Sequence, residues 1–138
     1  MRLSPKGLQH LKSVEGLRLT AYWDRKQWSI GYGTKSRKGE VIDEAEAERR
    51  LLANVRYFEK CVHKYITVPL LQPEFDALVS WTYNVGCGAL RDSTLRRVLN
   101  RGKYKEVPKQ LMRWHIPRSI ISRRKKEVRL WKSDLFLP

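Results

Sequence analysis

The stretch Glu15-Gly16-Leu17-Arg18-Leu19-Thr20-Ala21-Tyr22-Trp23-Asp24-Arg25-Lys26-Gln27-Trp28-Ser29-Ile30-Gly31-Tyr32-Gly33-Thr34 carries the change from helical to strand patterning. Upstream of it, Ser4-Pro5 has the form of a helix start, with serine at the N-cap and proline at the first helical position. Leu8, Leu11 and Val14 then recur at threes, as an amphipathic helix requires. Gly16 is suited to end that helix, which puts Glu15 in its last turn. Leu17 to Tyr22 and Trp28 to Gly33 read as two short strands joined by a turn near residues 24–27. That turn contains no Asn-Gly or Asp-Gly pair, so its type is not legible. Residues 35–42, rich in Lys, Arg and Gly, read as a third short strand or a loop.

Downstream the pattern is helical. Asp43-Glu44-Ala45-Glu46 combines an N-cap with acids in a first turn, and Leu51, Leu52, Val55 and Tyr57 or Phe58 give an apolar face running to about His63. Gln72-Pro73-Glu74-Phe75 opens another helix, which Asn84-Val85-Gly86-Cys87-Gly88 is expected to stop. Short helices are expected at Ser93–Leu99 and Lys105–Trp114, broken by Pro117, and a last one at Arg123–Trp131. A β-rich patch between a first helix and a helical body is an α+β arrangement, with a ligand cleft expected between the two parts.

At 138 residues the chain is long enough for one domain with a real core. Its formal net charge of +15 draws it toward polyanions such as nucleic acid, anionic lipid or an acidic envelope polymer. Cys61 and Cys87 are too few for a disulfide scaffold and are expected to be ordinary thiols, although the sequence does not say whether they meet. They and the scattered His10, His63 and His115 lack metal-ligand spacing, so neither metal nor cofactor is expected. No segment is apolar for long enough to span a bilayer, and Met1–Lys6 lacks a signal-peptide core. The expectation is a chain made in a cytoplasm, which needs something else to let it through if its substrate lies outside.

Three side chains in the opening stretch point to chemistry. A half-buried carboxyl at a helix C-terminus, as Glu15 would be, favours its neutral form and can donate a proton. Asp24, in a polar turn beside Arg25-Lys26, favours the ionised form. Ser29 offers a hydroxyl, but no histidine lies nearby to activate it, so a Ser-His-Asp triad is unsupported. Singly, each has an ordinary reading as a frayed helix-end Glu, a turn Asp or a strand Ser. Together, with Gly31 and Gly33 permitting close backbone approach, they match the acid and the second carboxylate of a glycoside hydrolase.

These residues resemble the T4-type phage lysozyme (endolysin) family, glycoside hydrolase family 24. The matching blocks are Glu15–Asp24, Trp28–Thr34, Gln72–Gly86, and Ser93-Thr94-Leu95 with Asn100; a weaker match lies at Arg113-Trp114 and Arg123-Arg124. The resemblance implies a lysozyme-like fold in a single catalytic domain, residues 1–138. Its β-rich lobe would cover about 16–42 and its helical lobe about 43–138 plus the first helix. It implies cleavage of the β-1,4 bond between N-acetylmuramic acid and N-acetylglucosamine in peptidoglycan, and host lysis. Glu15 would be the proton donor, Asp24 the second carboxylate, and Ser29 stands where the family usually has Thr. Tyr83, Thr94, Lys35 and Gln110 fall at or near saccharide-contacting positions. The turn after Asp24 is one residue shorter than in much of the family and lacks its usual glycine. The segment between Trp114 and Arg123 is compressed, so either Arg123 or Arg124 could pair with Glu15, opposing the helix-end effect. A separate pore-forming protein is implied for release from the host cytoplasm to the wall, and a monomer is expected.

Residues 101–132 carry twelve Lys or Arg against only Glu106 and Glu127. Lys125–Lys132 has the pattern of a basic amphipathic helix, with a taste for lipopolysaccharide or anionic membrane. Hence one alternative is a cationic antibacterial protein acting partly without catalysis. A nucleic-acid-binding module is the other, and it lacks any helix-turn-helix, zinc-finger or RNA-binding signature.

Overall fold

The computed structural model describes residues 1–133. The elements are α1 (Pro5–Glu15), β1 (Arg18–Trp23), β2 (Trp28–Gly31), β3 (Thr34–Lys35), α2 (Glu44–Tyr65), α3 (Gln72–Val85), α4 (Cys87–Asp92), α5 (Thr94–Asn100), α6 (Val107–Met112) and α7 (Ile121–Trp131). Single 3-10 turns at Tyr104–Glu106 and Arg118–Ile120 lead into α6 and α7. This is the expected α+β layout. The last five positions of the 43–138 lobe lie outside the described residues.

Capping fixes where α1 begins and what it touches. The Ser4 hydroxyl oxygen accepts from the Gly7 N–H at 2.9 Å while its own proton goes to Asp76 on α3, and the Ser4 N–H donates to the same carboxylate at 3.0 Å. One buried acid thus seats the opening helix on the central one. At the other end Gly16 takes a φ of +71° and its N–H returns to the Lys12 carbonyl at 3.0 Å, so the chain leaves α1 immediately after Glu15.

The three strands form one antiparallel sheet in sequence order. Tyr22 pairs with Ser29 and Trp23 with Trp28, while Ser29 also pairs with Lys35. Segment 35–42 is mostly loop. It returns to the free edge of β1, where Ala21 N–H donates to the Glu40 carbonyl at 2.8 Å and Ile42 N–H to the Leu19 carbonyl at 2.9 Å. Arg50 on α2 clasps the Glu40 carboxylate, and that contact with a bond from Ser36 pulls the Glu40 pKa down to about 2.

Two cores share α2. Ala47, Leu51 and Val55 in its first half pack with Leu11 and Tyr32 under the sheet. Cys61 and Val62 in its second half join Phe75, Leu78, Trp81, Leu95, Leu99, Leu111 and Trp131 in the helical body. Helix α3 is buried without interruption from Glu74 to Thr82 and forms the axis of that body.

Three local expectations are corrected. Residues 84–88 do not simply stop a helix: Gly86, at φ +98°, turns the chain straight into α4. Six residues are too few to show a helical period, so α4 left no readable pattern. The helix expected over 105–114 is a 3-10 turn followed by the shorter α6. Cys61 and Cys87 are not free thiols. They form a disulfide between α2 and α4, with Cα atoms 5.7 Å apart and a sequence separation of 26. Closing a loop of that length contributes on the order of 3 kcal/mol. Nothing in the spacing reveals the bond, because the packing of α2 against α4 creates it.

Candidate active site

Glu15 ends α1 with its carboxylate against the β2–β3 turn. A side chain at Gly33 would place its Cβ 2.5 Å from Glu15 Oε1, and Gly33 also has a φ of +80°. The backbone conformation favours glycine there, and any side chain would have to push the Glu15 carboxylate aside. The other carboxylate oxygen forms an ion pair with the Arg123 guanidinium from α7. Of the two arginines weighed from the sequence, Arg123 is the partner. Arg124 instead pairs with Glu127 and reaches Asn84 and the Trp114 carbonyl.

Asp24 sits at the hairpin turn. Its Oδ1 accepts from the Lys26 and Gln27 N–H groups at 3.4 and 3.2 Å, and its Oδ2 accepts from the Ser29 hydroxyl. The Ser29 bond, followed by the backbone donors, holds the Asp24 carboxyl below its usual range. The turn lacks glycine, and Arg25 takes the left-handed conformation at φ +84°.

Tyr22 stands on β1 within reach of the charge of both acids. It lies directly across from Ser29, so the two side chains share a face of the sheet. Burial raises the Tyr22 hydroxyl above its ordinary value, and the charges of Asp24 and Glu15 raise it further. One phenol thus registers both carboxylates.

Tyr83, at the end of α3, lies beside this group. Its hydroxyl donates to the Tyr32 carbonyl at 2.8 Å and its ring packs against Phe58, with centroids 5.2 Å apart. Burial pushes its pKa to about 12, so it remains a neutral donor that steadies the turn carrying Gly33. Lys35 is exposed on β3 opposite Ser29. Thr94 accepts from Arg97 at 2.9 Å at the start of α5, and Gln110 is buried in α6. Neither bonds to the Glu15 or Asp24 group among the described residues.

A buried polar chain behind Glu15 was not read from the sequence. The Arg123 guanidinium also donates to the Ser80 carbonyl at 2.7 Å and to Glu127 at 3.1 Å. The Ser80 hydroxyl donates to Glu127 at 2.7 Å and lies 3.0 Å from His10 Nε2. The i,i+4 spacing of Arg123 and Glu127 was the one available signal, and it looks the same on an exposed helix. Helix α7 also departs from the picture of a free amphipathic helix. Leu130 and Trp131 are spent on the core, leaving Lys125, Arg129 and Lys132 outward.

The pattern of the family described as phage lysozyme matches residues 12–127. The chain is 37% identical to an endolysin of Bacillus phage B103 over 95% of its own length and 54% of that protein. It is 30% identical to the endolysin of Salmonella phage P22, over 96% and 99%. It thus spans about half the length of the Bacillus phage endolysins it matches. Among solved structures, an endolysin from Escherichia coli O157:H7 phage FAHEc1 superposes with a TM-score of 0.89 at 36% identity, covering 100% of this chain and 98% of that one. The muramidase domain of SpmX from Asticaccaulis excentricus gives 0.90 at 29%, covering 96% and 99%.

Proposed function

We propose, from the premise that this chain belongs to the phage lysozyme family, that it is a muramidase hydrolysing the β-1,4 bond between N-acetylmuramic acid and N-acetylglucosamine of peptidoglycan. The observation that carries the reading is the pairing of unlike carboxyls, Glu15 at the end of α1, walled in by Gly33 and Arg123, and Asp24 at the turn of the hairpin, exposed and held ionised by Ser29. Glu15 protonates the departing glycosidic oxygen. Asp24 remains charged and faces the opposite side of the scissile sugar, either stabilising positive charge on the ring or directing water. Ser29, itself buried, gives its proton to Asp24 and accepts from the Gln27 side-chain amide at 3.5 Å, so it acts by holding the Asp24 carboxylate in place. Tyr83, Thr94, Lys35 and Gln110 are retained as saccharide-binding residues in this proposal, in a domain spanning residues 1–138 that acts as a monomer.

Digestion of purified peptidoglycan tests the reading. The product mass spectrum should show muramic acid at the reducing end. Glu15→Gln should lower the rate by about 10²–10⁴-fold, the usual worth of a general acid. A folded Glu15→Gln protein that digests wall at the original rate removes the proposal.

A second element concerns binding. The outward Lys125, Arg129 and Lys132 of α7, with the other cations of residues 101–132, favour attraction to anionic envelope polymer or lipopolysaccharide. The burial of Leu130 and Trp131 argues against insertion of α7 into lipid while the domain is folded. Delivery to the wall of a phage host through a separate pore-forming protein belongs to the same proposal. No helix among the described residues is long and apolar enough to cross a membrane.

A further inference from the structure

Arg123 does not belong to Glu15 alone. Its three guanidinium nitrogens are divided among Glu15, Glu127 and the Ser80 carbonyl. Glu127 is fully buried on α7 and is the one carboxylate besides Glu15 that contacts Arg123 among the described residues. It also holds Arg124 and accepts the Ser80 hydroxyl proton. With that proton committed, the His10 ring N–H is the donor across the 3.0 Å contact with Ser80. Arg124 is anchored by Asn84 and the Trp114 carbonyl, and so is not free to turn toward Glu15.

The other titratable groups facing this cluster bring little negative charge to it. From α1, His10 is pushed toward its neutral form by burial. From α3, Tyr83 stays a neutral phenol, while Asp76 lies toward His10, where Lys126 of α7 opposes it. From β1, Tyr22 is also neutral, and Asp24 lies on the hairpin side of Glu15. Two acids and two arginines thus balance when Glu15 is ionised, and one positive charge is left over when it is protonated. Charges this well buried interact far more strongly than they would in water.

We propose that Glu127 is a positioning residue which, by sharing Arg123 with Glu15, sets how much of the guanidinium Glu15 receives and thereby the pH dependence of the reaction. Without Glu127, Arg123 is no longer divided and both arginine charges bear on Glu15 alone. The inference rests on the muramidase reading for its consequence in catalysis. The coupling itself is a property of the folded chain.

The test replaces Glu127 by Gln, which keeps the shape and removes the charge. The alkaline limb of the pH–rate profile for peptidoglycan digestion should fall by about one pH unit, within the range a newly undivided arginine produces. The acid limb should stay in place. NMR titration of the Glu15 carboxyl carbon in the full chain should move in the same direction without reference to activity. Glu127→Asp keeps the charge but draws it back by a methylene, and should give a smaller shift of the same sign. It also serves if the Gln variant does not fold. A folded Glu127→Gln protein whose rate drops with both limb and titration unmoved has lost only structure, and overturns the proposal. If the unsubstituted protein digests no wall, the muramidase reading fails separately, while the Glu15 titration still decides the coupling.

Discussion

Each side-chain bond that fixes Asp24 comes from a residue no more than five positions along the chain: Lys26, Gln27 and Ser29. Glu15 is fixed by Arg123, 108 positions away, and Arg123 is fixed in turn by residues of α3 and α7. The hairpin turn is therefore a local device that any chain with this short sequence can begin to build. The helix-end acid is a tertiary device that exists only after α7 has packed against α3. The difference teaches where each carboxyl is vulnerable: Asp24 to changes in its own turn, Glu15 to changes far from it in sequence.

The sharpest way to break this contrast is to remove one anchor from each side. Arg123→Met leaves Glu15 and Glu127 short of a buried partner and should destabilise the fold by about 3 kcal/mol, with digestion reduced as well. Asp24→Asn, at an exposed turn, should leave stability within about 0.5 kcal/mol while abolishing most activity. Urea unfolding of both variants measures the difference. Equal losses of stability would show that the two carboxyls are not held in different ways.

Ser29→Ala sharpens the comparison on the Asp24 side. The hydroxyl is the largest influence holding Asp24 below its ordinary range. Its loss lets that carboxyl return upward, so Asp24 becomes protonated at a higher pH as the solution is acidified. The acid limb of the pH–rate profile should therefore move up and the alkaline limb stay, the reverse of Glu127→Gln. Ser29→Thr, which keeps the hydroxyl, should restore the original limb. An acid limb unmoved in Ser29→Ala would detach Ser29 from Asp24.

The smallest effect is expected at Arg25. Glycine there relieves a left-handed conformation costing about 1–2 kcal/mol for an L-residue, but it adds unfolded-state entropy worth about 0.5–1 kcal/mol. Arg25→Gly should raise stability by roughly 0.5 kcal/mol, read by thermal unfolding. A clear loss would mean that the arginine side chain contributes something its exposed position does not suggest.

The same division governs what could be read in advance. The start of α1 at Ser4-Pro5, its end at Gly16, the hairpin around Asp24 and the opening of α2 at Asp43 were legible because caps and turns act over a few residues. The short α4 was not, nor was the pairing of Cys61 with Cys87. Both depend on α2 and α4 lying side by side. Lys125–Lys132 was legible as amphipathic, but periodicity does not say whether an apolar face meets lipid or a protein core.

By itself the sequence determined that a carboxyl would end the first helix, that a second would sit in a polar turn with a hydroxyl five residues on, and that glycine would stand at position 33. Only the tertiary structure chose Arg123 over Arg124, buried Glu127 between them and set Glu15 against Gly33. The reason is one of range. Backbone caps and turn bonds are settled by neighbours in the chain, whereas a buried charge acquires its partner and its low-dielectric surroundings only when distant helices close around it.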